Sequence, residues 1–331
     1  MTPRWHERDE AARELERRLG GRAERDASLS EHTTMRVGGP ADLLVTIRDR
    51  FTLRGVVRLA RGRSWPLTIL GRGSNVVVDD DGVHGLVVLN RSGGAVVDAD
   101  TAVITADSGL SMAKLATLAA EAGLTGAEFT LAIPGNVGGA VWASAGAHGG
   151  EIWEIVQSVA VLRADGSEEV LPREALALSY RDSRFKREAG RGEVILGAEF
   201  QLQRGEPDRI RAQLDEIRRW RREHQPLGIP SAGSVFRNPP GPLSAGALLE
   251  AAGAPVLGLF RPTLPDLAHD IAELIRGLVH DGAIDTPAGR IETGPGRAPA
   301  DVALICRSPQ ERDRQGERLP WYVRHALAEG D

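Results

Sequence analysis

A chain of 331 residues with 41% hydrophobic and 26% charged side chains holds apolar material for two or three separately cored domains, which excludes a single small module. No run of eighteen apolar residues is present to cross a bilayer, and a formal net charge of -5 gives no general attraction to nucleic acid. The single cysteine, Cys306, excludes an internal disulfide and a cysteine-rich metal centre. The cations are arginine except at Lys114 and Lys186.

In chain order, residues 1–19 are charged throughout and predict a surface helix, not a secretion signal, closed by Gly20 and Gly21; the protein is expected in the cytoplasm. Residues 43–47 predict a strand, 52–60 a helix, and 67–70 a second strand that enters a glycine turn, together a small α/β unit. Residues 95–106 predict a hairpin turning at 98–101. Ser111 is placed to cap a helix that ends at Gly123. The stretch 126–150 is dense in glycine. Strands follow at 159–163 and 168–171 around the turn 164–167, and again at 194–203. Pro207 suits the first turn of a helix running to about Glu223, with Ile210, Leu214, Ile217 and Arg221 along one face; its 218–222 arginine run reads as a solvated surface. Beyond Pro226 the sequence predicts a loop over 228–242 and helices at 245–252 and 267–279.

Four segments carry residues suited to chemistry. Gly71-Arg72-Gly73-Ser74-Asn75 lies between two β-runs, which makes it a strand-turn-strand and not the strand-turn-helix of a Rossmann site. Glycines there let several backbone N–H groups converge on one anion, and Ser74 and Asn75 add side-chain donors, as a pyrophosphate requires; the same residues also make a plain tight turn. Ile133-Pro134-Gly135-Asn136-Val137-Gly138-Gly139-Ala140 continues through Ala145-Gly146-Ala147-His148-Gly149. A glycine costs about 0.5–1 kcal/mol in regular structure. Such density predicts backbone lying against something flat or bulky, an aromatic cofactor, with a close-packed loop as the other reading. Gly138 and Gly139, opening a short helix, are expected to offer free N–H groups to phosphate. In Tyr180-Arg181-Asp182-Ser183, hydroxyl and carboxylate neighbours either fix a guanidinium for bidentate contact with a carboxylate or merely pair it at the surface. Gly233-Ser234-Val235-Phe236-Arg237-Asn238-Pro239 is a turn-rich loop with one serine, which lacks the neighbouring histidine of a hydrolase nucleophile.

Together with Thr33-Thr34-Met35-Arg36-Val37-Gly38-Gly39-Pro40-Ala41, these segments resemble, in this order and over residues 29–253, the family of UDP-N-acetylenolpyruvoylglucosamine reductases, also called UDP-N-acetylmuramate dehydrogenases. The resemblance implies an α+β fold. After an N-terminal helix in 1–28 it places an FAD-binding domain of the vanillyl-alcohol-oxidase type, made of two α/β subdomains at 29–89 and 90–205, and then a smaller α+β substrate domain at 206–331. It implies FAD as cofactor, NADPH as co-substrate and a sugar-nucleotide substrate, in a metal-free monomer of peptidoglycan precursor synthesis with no nucleic-acid or membrane partner. By the same resemblance Arg36, Gly71, Arg72, Gly73, Ser74, Asn75, Pro134, Gly135, Asn136, Gly138, Gly139, Ala140 and Gly146 bind FAD. Arg181 polarises the substrate carboxylate, Ser234 gives a proton to the α-carbon after hydride reaches the methylene carbon, and Tyr180, Arg237 and Asn238 meet the sugar nucleotide. Serine is a weak acid, so its step requires a strongly basic enolate-like partner shielded from water.

The sequence leaves the family pattern at several points. Ser144 stands where asparagine is usual and His148 where an aromatic is common. After Gly253 no catalytic glutamate is carried over: Tyr322, in Pro320-Trp321-Tyr322-Val323-Arg324, occupies its place, and Glu292 lies in an unrelated context. A flavin-binding chain without turnover, and an oxidase of the same flavin superfamily acting on an alcohol or sugar, are the other functions these residues allow.

Overall fold

The computed structural model describes residues 5–225, 228, 230–231, 237–238, 283–286, 289–292 and 303–305. Ser234, Tyr322 and the helices expected over 245–252 and 267–279 lie outside the described residues.

The first half runs α1 (Arg8–Leu19), β1 (Glu24–Ser28), β2 (Pro40–Ile47), α2 (Arg50–Gly62), β3 (Leu67–Leu70), β4 (Val76–Val78) and β5 (Val83–Asn90). β2 and β5 are apolar on both faces and buried along most of their length, as central parallel strands must be. They pair in parallel, Leu43 with Leu86 and Val45 with Val88; β3 joins β5 in parallel and β1 joins β2 antiparallel, in the order β1-β2-β5-β3. α1 stops where Gly20 turns left-handed at φ 64°, and it buries Ala11, Ala12 and Leu15. The Asp49 side chain accepts from Thr52 N and caps α2, which buries Leu53, Val56, Val57 and Ala60.

The second half runs β6 (Ala95–Asp98), β7 (Val103–Asp107), α3 (Met112–Glu121), β8 (Leu124–Thr125), α4 (Val137–Ala143), β9 (Gly146–Ala147), β10 (Gly150–Glu151), α5 (Ile152–Ile155), β11 (Val156–Leu162), β12 (Glu168–Pro172), β13 (Val194–Gln201), β14 (Gln203–Arg204) and α6 (Pro207–His224). Its antiparallel sheet has the order β12-β11-β13-β7-β6. Alternation along β11 and β13 sends Val159, Val161, Ala198 and Phe200 into one core with Met112, Leu115, Val137 and Val141 of α3 and α4. Leu162 joins the opposite core, with α2 and the first sheet, and so does Leu196, which lies where the β11–β13 register shifts and the alternation reverses. The layers are therefore first sheet, α2, second sheet, then α3 with α4. Polar contacts lock the middle of the stack: Arg54 and Arg58 pair with Glu168, and Arg61 donates to the carbonyls of Arg163 and Gly192.

The strand expected over 194–203 breaks at Leu202, whose N–H donates to Ala102 O, so that 203–204 pair with β8 instead. α6 buries Ile210, Leu214 and Ile217; Arg218, Arg219 and Arg222 are exposed, while Arg221 reaches back to Leu131 O at 2.9 Å. β15 (Ala283–Thr286) and β16 (Gly289–Glu292) form a hairpin, and β17 (Ala303–Ile305) pairs in parallel with β4. Among the described residues no helix is long and apolar enough to cross a membrane.

Phe200 is fully buried in the core beneath α3 and α4. Replacing it with alanine is expected to cost about 3–5 kcal/mol, read as a lower urea midpoint at unchanged slope. A loss below about 1 kcal/mol would contradict this packing.

Candidate active site

The two glycine segments meet. A Cβ at Gly71 would lie 2.6 Å from Asn136 Oδ1, and one at Gly135 would lie 3.5 Å from Ser74 Oγ. The 71–75 turn is held from its other side by Thr34, whose N and Oγ1 donate to Gly73 O at 2.9 and 3.2 Å, and by Arg91, whose Nη1 donates to Gly71 O at 2.6 Å. Gly73 has φ 64° and packs on the His32 and Thr33 backbone, where a side chain has no room. Arg36, also left-handed at φ 58°, closes the neighbouring 33–36 turn by donating from its N–H to Thr33 O.

Asn136 caps α4, its Oδ1 accepting from Gly139 N at 3.2 Å. Gly138 N donates to Ser108 O at 2.8 Å and Val137 N to Leu110 O at 2.9 Å. The expectation of free N–H groups at Gly138 and Gly139 is thus overturned: the first amides of α4 are spent inside the protein. Ser108 is set by a buried polar cluster at the end of β5. Asn90 Nδ2 donates to Ser108 Oγ at 2.8 Å, and Ser92 Oγ donates to Asn90 Oδ1 at 2.7 Å.

The glycines of the 133–149 loop divide by what they touch. A side chain at Gly138 would press on Ser108, and one at Gly146 would strike the Glu151 carboxylate. Among the described residues, an added Cβ at Gly135 meets only Ser74 Oγ at 3.5 Å and one at the exposed Gly139 only Asn136 Oδ1 at 3.1 Å, so Gly135 above all leaves room for a ligand to lie close. The aromatic-cofactor reading survives for them and is unnecessary for the others. His148 and Gly149, both at positive φ, form the two-residue turn between β9 and β10, and the His148 ring meets Trp220 of α6 edge-on at 4.7 Å.

Positive charge gathers at the 71–75 turn. Arg72 and Arg91 line an open cleft with Glu31, His32, Thr33 and Thr34. Burial, and then the charges of Arg72 and Arg48, hold the Arg91 guanidinium below the usual arginine range. None of the three is ion-paired among the described residues. Such a set fits a diphosphate. At the other end, Ser144 is wholly buried in a left-handed conformation (φ 48°), and its hydroxyl has no hydrogen-bond partner among the described residues. Unpaired cations beside one glycine turn, room at Gly135 and Gly139, and an orphaned hydroxyl beyond them fit a dinucleotide that carries a flat ring.

Arg181 sits next to that hydroxyl. Its Nη1 donates to Ser144 O at 3.3 Å and its Nη2 to Gly146 O at 3.0 Å; Glu151 Oε2 lies 3.6 Å away and the Tyr180 ring 5.2 Å. Its backbone is left-handed at φ 56°, in a turn closed by Ser179 and Asp182. The third region reaches the same place. Ser231 exchanges hydrogen bonds with Thr34, Arg237 Nη2 donates to Arg181 O at 3.2 Å, and Asn238 N donates to Tyr180 Oη at 3.4 Å. The expected residues therefore converge from three parts of the chain, with Ser234 outside the described residues. Arg91, Glu151 and Lys186 escaped the sequence reading. The available signals were an Asn-Arg-Ser-Gly-Gly run after a strand for Arg91 and a lysine in an arginine-rich chain for Lys186.

A family model described as FAD binding domain matches residues 41–171. The UDP-N-acetylenolpyruvoylglucosamine reductase of Bacillus licheniformis is 39% identical over 245 residues, 74% of this chain and 80% of that one. The chain belongs to the UDP-N-acetylenolpyruvoylglucosamine reductase family. A further member, from Clostridium novyi, is 41% identical over 229 residues, 68% of this chain and 72% of that one. The crystal structure of the reductase from Thermus caldophilus aligns with a TM-score of 0.60 at 28% identity, covering 86% of this chain and 98% of that one. The α+β fold with an FAD-binding domain, expected for this reductase family, is borne out. The matched domain spans β2 to β12 and contains both glycine segments, Arg91 and Ser144, but not Arg181 or Arg237.

Gly135→Ala tests the cradle directly, because an added Cβ meets only Ser74 Oγ, at 3.5 Å, among the described residues. The flavin-free variant is expected to match the parent in thermal midpoint while binding FAD about tenfold or more weakly, a difference of roughly 1.4 kcal/mol or more. Unchanged FAD affinity would remove Gly135 from the cradle.

Proposed function

We propose that this chain reduces UDP-N-acetylenolpyruvoylglucosamine to UDP-N-acetylmuramate, with FAD as its cofactor and NADPH as reductant, as a cytoplasmic monomer. The observation that carries the reading is Arg181, pinned by two carbonyls of the glycine loop, with Arg237 from the third region on its main-chain oxygen and Asn238 on the adjoining Tyr180. FAD, when bound, supplies hydride transfer from NADPH to the enolpyruvyl group.

The chain's own residues do the rest. The 71–75 turn with Arg72 and Arg91 would hold the cofactor's diphosphate, and Gly135 and Gly139 would admit its ring beside Ser144. Held by Ser144 O and Gly146 O and flanked by Glu151, the Arg181 guanidinium would present a fixed fork to the substrate carboxylate. When hydride adds to the methylene carbon, negative charge grows at the α-carbon and spreads into that carboxylate. A cation already in position stabilises this charge more than it stabilises the ground state. Ser234, three residues before Arg237 in the sequence, would deliver the proton that completes the saturated ether. Tyr180, Arg237 and Asn238 would bind the sugar nucleotide. No glutamate is given a role.

The test is NADPH oxidation by the purified full chain. Consumption is expected only when the enolpyruvyl sugar nucleotide is present, and Arg181→Lys is expected to lower kcat about 10²–10³-fold. NADPH consumption that ignores the sugar nucleotide and follows oxygen instead would contradict the proposal.

A further inference from the structure

We infer that Lys186 is a positioning residue for Arg181, holding the main chain of the carboxylate anchor while the glycine loop holds its side chain. The inference rests on the reading of Arg181 as the group that meets the substrate carboxylate.

Of the two lysines in the chain, Lys114 is exposed and Lys186 is 2% exposed. A buried ammonium is costly to desolvate, and an apolar side chain of similar length would fill the same space without that cost. The charge therefore answers to its surroundings. Lys186 Nζ donates to Arg181 O at 2.7 Å and sits over the Trp142 ring, 4.8 Å from its centroid. Ser183 Oγ, between the two in sequence, donates to Trp142 O at 2.7 Å.

These contacts close a circuit. Trp142 lies in the last turn of α4, and two residues later Ser144 offers the carbonyl that receives Arg181 Nη1. Lys186 thus ties the backbone of Arg181 to the same helix end that grips its guanidinium. The tie matters because Arg181 is held at φ 56°, a conformation that a residue with a Cβ leaves unless its neighbours oppose it. Arg237 Nη2 shares the same carbonyl, so removal of Lys186 leaves that donor in place and produces misplacement of the fork, not collapse of the turn. Among the described residues, the Lys186 amino group meets Arg181 O and the face of the Trp142 ring.

The test uses the flavin-loaded full chain carrying Lys186→Met or Lys186→Gln, studied anaerobically by stopped flow. Bleaching of the visible spectrum by NADPH reports one half-reaction, and its return on mixing with the enolpyruvyl sugar nucleotide reports the other. Lys186→Met is expected to slow the second on the order of 10²-fold and leave the first unchanged, the cost of misplacing a reacting group without removing it. Lys186→Gln, which keeps an N–H donor, is expected to fall between it and the parent, and carries the test if the methionine variant takes up no flavin. In an Arg181→Lys background, Lys186→Met should add little further loss, because the group it positions is already gone.

Equal slowing of both half-reactions, a substrate half-reaction at the parent rate in either flavin-loaded variant, or full additivity with Arg181→Lys would overturn the inference. A parent chain that NADPH bleaches but the sugar nucleotide does not restore would instead overturn the functional reading beneath it.

Discussion

The site depends on the contact of Asn136 with Gly71. One amide side chain caps α4 through Gly139 N and also occupies the space that glycine leaves open at position 71. α4 packs in the core on the far side of the second sheet from α2 and the first sheet, yet at this point its cap meets a loop of the first sheet. Any side chain at 71 would push Asn136 off the helix start and shift the loop that carries Ser144 and Gly146. Through those two carbonyls the displacement would reach Arg181. Geometry at the anchor is thus set by a contact between backbone and side chain that involves no charge.

Charge and strain are then distributed around that frame. At one end the charges of Arg72 and Arg48 act against that of the half-buried Arg91. At the other end Ser144, His148 and Arg181 all adopt left-handed backbones, unusual for residues with a Cβ, within one cluster of loops. An anion at the first end and a ring at the second would relieve one and exploit the other. The stack of sheet, α2, sheet and helix pair provides the rigidity that both require.

Local signals were legible in the sequence because their causes are local. Asp98 accepts from the amides of Asp100 and Thr101 at the hairpin turn, Ser111 caps α3 through Lys114 N, and Gly20 ends α1, all within a few residues of the motif that announces them. The glycine loop was only half legible. Its density signalled close approach, but which glycines serve a ligand depends on neighbours far along the chain: Ser108 beneath Gly138, Glu151 beneath Gly146, and little protein at Gly135. The same limit explains why the Gly138 amide, expected to bind phosphate, proved to be bonded to Ser108 O, while the Gly139 amide is taken by the cap residue Asn136. Lys186 stood out in the sequence only as a lysine in an arginine-rich chain; its role stayed hidden because its partner is a main-chain oxygen, which no side-chain pattern encodes.

The most direct measurement of the central claim, that two glycine-bearing loops joined at Asn136 and Gly71 cradle a flavin, is the visible absorption spectrum of the purified full chain. The account predicts a stoichiometric flavin spectrum, either as isolated or after incubation with FAD and removal of the excess by gel filtration. A folded chain that stays colourless through that treatment would contradict it.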